Sequence, residues 1–470
     1  MKILLVQCPC SYGVEMPSLG LAYLSSFLEK NNYDVSVLDL SIILYERVDK
    51  KNKKYWDSNN GYCWYLTDVF KNLPFLTDQL YEDFVKKILS IDNDVLGFSV
   101  QNTSALFTLE IIKRITAKRP SKKIILGGPN CYNVSEEDSS FRLHHDLQEL
   151  ADVIVIGEGE RTQLNVLRQI ESNKPLDECR GIAIPKKERW VFNGFGEIIM
   201  NLDDLPFPDL AAYNLRAYTD KNSLPILTSR GCVMRCVFCT DTYFWKPYRY
   251  RSTENVIAEI IQRQKKYRNR FFSFNDSLIN GNYRSLFDLC NLLISKKLRI
   301  SWGGNFRIDK RLDLGFLRTM KKAGCEYLIV GIESGSNKIL GLMRKGFTIK
   351  EAEHFLHNCN KVGIYIEANW IVGFPGETEE DYVTTRDFII NQAELIKKNT
   401  FSTLTINQFS YLDRHKEEFG IILDGSHLGL WHSTDGLNTI ELRNSRLRYL
   451  EDIEAKRNKS YNIVRQITDK

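Results

Sequence analysis

Proline is scarce in this chain, 12 residues in 470, while hydrophobic residues make up 43% of it. That balance excludes a disordered chain and describes a folded one. Long apolar runs are missing too: no stretch reaches the roughly 18 uncharged apolar residues that a membrane span requires. Neither charge predominates, since 64 basic residues face 59 acidic ones for a net +5. So small an excess gives little footing for a nucleic-acid partner, and none is expected. The densest basic stretches, 50–54 and 246–251, have aromatics beside or within them, and solvated loops account for both. At the N-terminus Cys8-Pro9-Cys10 ends the short apolar run too early for a secretory signal. Residues 2–7 therefore read as a first β-strand, and the protein as cytoplasmic. G-x-G-x-x-G and P-loop motifs are absent, so no nucleotide phosphate site is expected.

What the chain does have is length and alternation. At about 150 residues per domain, two or three domains are expected. Over the first 160 residues, β-rich apolar runs at 2–7, 34–40, 95–100, 123–128 and 152–157 alternate with helical patterns at 19–30 and 105–118. This predicts an α/β fold with a doubly wound, Rossmann-like parallel sheet over 1–200, including a connector. Ligands of such sheets lie beyond the carboxyl ends of the strands, here 9–12, 99–104, 127–130 and 157–160. Gly128 and Gly157, with Glu158 beside the latter, would let a large flat ligand approach the backbone. The plainer alternative is that these glycines only end strands. Between Tyr45 and Pro74 the alternation lapses, and Trp56, Tyr62, Trp64 and Phe70 suggest a lid.

A second alternating region follows the connector 201–211, with strands expected at 225–228, 271–274, 299–303, 327–332, 365–372 and 401–407. Six β/α units are too few to close an eight-unit barrel, so a partial, TIM-like (β/α)6 barrel is expected over 215–412, its active groups at the strands' C-terminal ends. Residues 413–470, with a charged helical stretch at 439–459, read as a small C-terminal helical cap.

The eleven cysteines are odd in number and unevenly spread, which does not suggest a disulfide framework. Three stand together as Cys232-Val-Met-Arg-Cys236-Val-Phe-Cys239, just after the first strand expected in the second region. Three thiolates on one loop can ligate three irons of a four-iron, four-sulfur cluster and leave the fourth open, whereas a structural cluster normally takes four. The next cysteine, Cys290, is far downstream. A closed zinc site needs a fourth ligand as well, and the first histidines downstream, His354 and His357, lie on an expected helix whose surface explains them more simply.

Cys-x3-Cys-x2-Cys in this setting resembles the radical S-adenosylmethionine (SAM) superfamily. Phe238 matches the aromatic usual before the third cysteine, and Tyr250-Arg251-Ser252 resembles the next loop of that family. Phe274-Asn-Asp276, Asn305-Phe-Arg307, Gly331-Ile-Glu-Ser-Gly335 and Gly373-Phe-Pro-Gly-Glu-Thr378 resemble its strand-end motifs in the same order. The resemblance implies a 4Fe-4S cluster on Cys232, Cys236 and Cys239, reductive cleavage of SAM, and an external electron donor such as flavodoxin or ferredoxin. It implies SAM contacts from Arg307, Glu333, Ser334 and Asp276, with Gly373 and Gly376 admitting the adenine. Each has a blander account: Asp276 or Ser334 as a helix cap, Arg307 paired with Asp309, the glycine run as a turn.

A doubly wound domain ahead of this core resembles the cobalamin-binding subclass of that superfamily. Pro17-Ser-Leu-Gly-Leu-Ala-Tyr-Leu24, residues 35–39, Val155-Ile-Gly-Glu-Gly-Glu160 and Trp431-His432 carry the resemblance. No Asp-x-His-x-x-Gly occurs, so the histidine that replaces cobalamin's own base in some corrinoid proteins is lacking. The function so implied is cobalamin-dependent methylation of an unactivated carbon in a small-molecule, peptide or natural-product substrate. The alternatives are a cyclase or oxidoreductase without cobalamin, a methylthiotransferase drawing on the poorly spaced Cys8, Cys10 and Cys63, and a zinc-stabilised scaffold.

Overall fold

The run Ile3-Leu4-Leu5-Val6 is buried on both faces, the pattern of an interior parallel strand. It forms β1 (Lys2–Gln7), an interior strand next to one edge of a seven-stranded sheet. The computed structural model describes residues 1–132, 145–186, 189–424 and 430–468. It divides into two compact units, Met1–Pro225 and Ile226–Lys470. Residues 413–468 thus belong to the second unit.

In the first unit, β1, β2 (Asp34–Asp39), β3 (Val95–Ser99), β4 (Lys123–Gly127) and β5 (Val153–Val155) pair in parallel in the order β2-β1-β3-β4-β5. The order reverses between β1 and β3, the kind of switch point beside which such sheets bind their ligands. Two antiparallel strands, β6 (Ile182–Lys186) and β7 (Arg189–Phe192), extend the sheet beyond β5 and were not anticipated. Helix Leu19–Lys30 starts where Ser18 accepts a hydrogen bond from the Leu21 amide. It lays Leu21, Ala22 and Leu28 into the core.

The segment expected as a lid folds on itself. Trp56 lies 4.9 Å from Trp64 and 5.3 Å from Phe75, ring to ring, and Trp64 is fully buried. Trp56, Trp64 and Phe75 thus form a small core of their own, while Tyr62 stays exposed. Of the basic stretch beside it, Lys53 stands 4.1 Å over the Tyr45 ring.

The second sheet runs β15-β14-β13-β12-β11-β8, with β8 at Ser223–Ile226, β11 at Phe271–Phe274, β12 at Ser301–Phe306, β13 at Cys325–Glu333, β14 at Tyr365–Val372 and β15 at Ile396–Thr403. From β11 to β15 the pairing is parallel, and the row of six does not close, as a partial barrel requires. The last strand begins before its expected position because 396–403 is polar. Asn399 within it is buried, accepts from the Trp370 indole and donates to Glu454. Helix Ile440–Thr468 lies against β15. Among the described residues no helix is long and apolar enough to cross a membrane.

Candidate active site

The three cysteines stand on a loop pinched at its base. β9 (Ser229–Arg230) and β10 (Arg249–Tyr250) pair antiparallel and enclose residues 231–248. The loop is also pinned at its middle. Val237 is fully buried among Ile339, Met343, Leu404 and Leu412; its amide donates to the Met343 carbonyl at 3.2 Å and its carbonyl accepts from Leu412 at 2.8 Å. Phe238 packs against the same cluster, and its carbonyl accepts from Asn407. Flanking residues thereby aim the other way: all eleven cysteines are free thiols, eight are buried, and only Cys232, Cys236 and Cys239 are partly exposed.

Amides of Met234 and Asp241 point at Cys232 Sγ and Cys239 Sγ, at 3.4 and 3.5 Å. Burial raises all three thiol pKa values, Cys239 to about 12. For Cys236 the Lys345 and Arg307 charges work against that rise, while Glu333 adds to it. Thiols that hold their protons so firmly become ligands only where a metal displaces it. No set of three His, Cys, Asp or Glu side chains converges on a single ion among the described residues. A cubane asks for no such convergence, because each thiolate takes a different iron.

The other expected residues separate into those that face this loop and those that do not. Arg307 faces it: its charge acts on Cys232 and Cys236, and its Nε is buried without a hydrogen-bond partner among the described residues. The expected Asp309 pairing is taken by Arg311 instead, at 2.5 and 2.9 Å. Asn280 holds the Arg307 backbone by hydrogen bonds at both its amide and its carbonyl. Glu333 ends β13 with φ +72°, beside a register shift, and ion-pairs with Lys345 at 3.3 Å.

Asp276 is enclosed. Its carboxylate accepts from the Thr228 amide and hydroxyl and from the Ser229 hydroxyl at 2.6–3.1 Å. It is a strut beneath the loop, neither a helix cap nor an open ligand group. Ser334 is likewise buried, sharing a hydrogen bond with Thr385 and accepting from the Ser336 amide. Gly373 has its open side filled: a Cβ there would meet Arg443 Cγ and Cδ at 2.3 Å. Gly376, at φ +83°, backs onto Leu342. At Gly373, then, the side that a Cβ would take is held by a side chain of the C-terminal helix.

Two contributors were missed, and the burial of a third was not foreseen. Arg251, read as part of a solvated basic loop, is 3% exposed; it donates to the Leu227 carbonyl and pairs with fully buried Glu259, which also binds Arg263. Lys345 faces the cysteines from a turn with no motif of its own. Arg443 packs 3.9 Å over Trp431.

In the first unit, Gly128 sits at φ +107°, where a Cβ would meet the Val100 carbonyl oxygen and amide at 2.8 and 2.9 Å. Gly157 follows β5 at φ +89°. Glu158 accepts from the Ile199 amide. At the end of β1, Gln7 is buried and its Oε1 has no partner among the described residues. A carboxyl edge with close-packed glycine backbone and an orphaned amide oxygen fits a large polar-rimmed ligand. Cys8, Cys10 and Cys63 are all buried.

Comparison with known proteins places these features. Residues 226–389 match the model of the radical SAM superfamily. The chain is 26% identical over 402 residues to an uncharacterized methyltransferase of Pyrococcus horikoshii, covering 83% of this chain and 77% of that one. It is 25% identical over 319 residues to the anaerobic magnesium-protoporphyrin IX monomethyl ester cyclase of Cereibacter sphaeroides, covering 65% of this chain and half the relative's length. Its fold superposes on the radical SAM methyltransferase TsrM from Kitasatospora setae, solved with cobalamin and a [4Fe-4S] cluster bound, with a TM-score of 0.66 at 16% identity over 91% of this chain and 78% of that one. Residues 226–389, with the three-cysteine loop at their head, are thus the part of this chain that matches the radical SAM superfamily.

Proposed function

We propose that this radical SAM enzyme transfers a methyl group to an unactivated carbon with the help of cobalamin. The observation that carries the reading is the loop 231–248: three partly exposed thiols where all eight others are buried, with no fourth cysteine on the loop. Bound groups would supply the hard chemistry, a 4Fe-4S cluster on Cys232, Cys236 and Cys239 giving the electron that breaks SAM into a carbon radical, and a corrinoid giving the methyl group.

The chain's own residues hold and orient. The amides of Met234 and Asp241 fix two sulfurs. Arg307, with an unpartnered buried Nε, suits the carboxylate of an amino acid such as SAM. The Glu333 carboxylate suits a ribose hydroxyl. Asp276 and Ser334 act indirectly, by keeping the strand ends rigid. In the first unit, the edge formed by Gln7, Gly128 and Gly157 is assigned to the corrin. The methyltransferase name of the Pyrococcus relative and the cobalamin in TsrM support the methyl-transfer part. The cyclase of Cereibacter supports a second reading, radical chemistry without methyl transfer.

Anaerobic reconstitution with iron, sulfide and hydroxocobalamin, followed by a SAM turnover assay, tests the proposal. Uptake of about four irons together with a corrinoid and formation of 5′-deoxyadenosine is expected. Iron without corrinoid would leave the second reading, and persistence of turnover in Cys236→Ala would remove both.

A further inference from the structure

We propose that Lys345 and Glu333 together set the reduction potential of the cluster assigned to Cys232, Cys236 and Cys239, Lys345 raising it and Glu333 holding that effect in check. The inference rests on the cluster reading above. Its basis is a charge pair enclosed beside the cysteine loop. Lys345 Nζ lies 3.3 Å from Glu333 Oε1, with the two side chains 12% and 10% exposed. Space for the pair is made at Gly331, where a Cβ would stand 2.2 Å from Glu333 Oε1 and 3.2 Å from Lys345 Nζ.

The pair is tied to the loop through several contacts. The ammonium stands 5.8 Å from the ring centre of Phe238, the residue before Cys239. The neighbouring Gly346 turns at φ +72° and faces the Met234 methyl. The Val237 amide donates to the carbonyl of Met343, two residues before Lys345. Burial alone would strip Lys345 of its proton more easily, yet the Glu333 carboxylate beside it keeps the ammonium charged.

A buried ion pair adds little to stability compared with apolar side chains of the same size. An effect on a nearby group whose charge changes is a better use for it. Reduction of the cluster core from 2+ to 1+ takes one electron from an external one-electron donor; no bond or proton moves. The added negative charge falls in a poorly hydrated region where Coulomb interactions are weakly screened. A fixed ammonium favours the reduced form and a fixed carboxylate opposes it, so the two residues act with opposite sign.

The test is an EPR-monitored redox titration of the full-length, anaerobically reconstituted protein, without SAM, using dithionite and low-potential viologen mediators. Lys345→Met should move the midpoint to a more negative potential, Lys345→Arg should leave it near wild type, and Glu333→Gln should move it less negative. An unchanged midpoint in Lys345→Met, or a Glu333→Gln shift of the same sign as Lys345→Met, overturns the inference. If Lys345→Met takes up no cluster, the sign of the Glu333→Gln shift decides alone. Lack of any cluster signal in the wild-type chain would instead overturn the cluster reading itself.

Discussion

Gly231 and Trp245 approach so closely that a Cβ on the glycine would lie 2.4 Å from the tryptophan carbonyl oxygen. Gly231 is also at φ +90°, a conformation that side chains disfavour. Gly231 follows β9 directly and Trp245 lies four residues before β10, both inside the loop, so their contact bears on how tightly the cysteine loop closes. Gly231→Ala should cost about 1–3 kcal/mol from backbone strain alone, and more from the overlap. The expected result is a folded chain with a lowered melting midpoint and iron uptake well below that of wild type. Wild-type iron content in the variant would show that the contact does not control the loop.

The charge pair at Arg446 and Glu377 makes a separate statement about pH. Glu377 accepts from the Gly373 amide at 2.8 Å and from Arg446 at 3.0 Å, but burial dominates and lifts its pKa from 4.5 to about 7. A carboxyl with a raised folded-state pKa holds its proton more tightly when folded than when unfolded. Its contribution to stability is thus full below about pH 4.5 and is lost as pH rises through about 7. A shift of that size corresponds to at most about 3 kcal/mol. Glu377→Gln keeps an acceptor for both donors and removes the titration. Its melting midpoint should therefore gain on wild type as pH is raised from 5 to 8.5; parallel curves would rule out the coupling.

Much of this architecture could be read from sequence where the physics is local. Helices Leu19–Lys30 and Ala105–Lys118 and strands β1, β11 and β14 fall at their expected bounds because apolar spacing decides them. β15 begins before its expected position because one of its polar residues, Asn399, is buried through hydrogen bonds rather than through apolar packing, which spacing does not register. The cysteine ligands were recognisable because all three lie within eight residues. Residue type alone does not tell direction: Asp276 and Ser334 carry suitable chemistry, yet Thr228 and Thr385 claim it. Lys345 escaped notice, and the buried role of Arg251 was not foreseen from its motif, because their partners, Glu333 and Glu259, matter through burial, and burial is a property of the fold.

The first unit offers a test of the corrinoid assignment that leaves the cysteine loop untouched. Gly128 follows β4 directly, and the Val100 amide that reaches back to the Gly127 carbonyl at 2.7 Å holds the ends of β3 and β4 together. A methyl group at residue 128 would have to displace the Val100 backbone, since no flexible side chain stands in its place to yield. The displacement spreads along the carboxyl edge assigned to the corrin. Gly128→Ala should weaken hydroxocobalamin uptake by about tenfold or more, equivalent to about 1.4 kcal/mol, while iron content stays at the wild-type level. Absorbance of the protein-bound corrinoid after desalting, set against iron analysis of the same sample, measures both. Undiminished corrinoid would move its site away from this edge, and parallel loss of iron would show that the substitution disturbs more than the first unit's sheet.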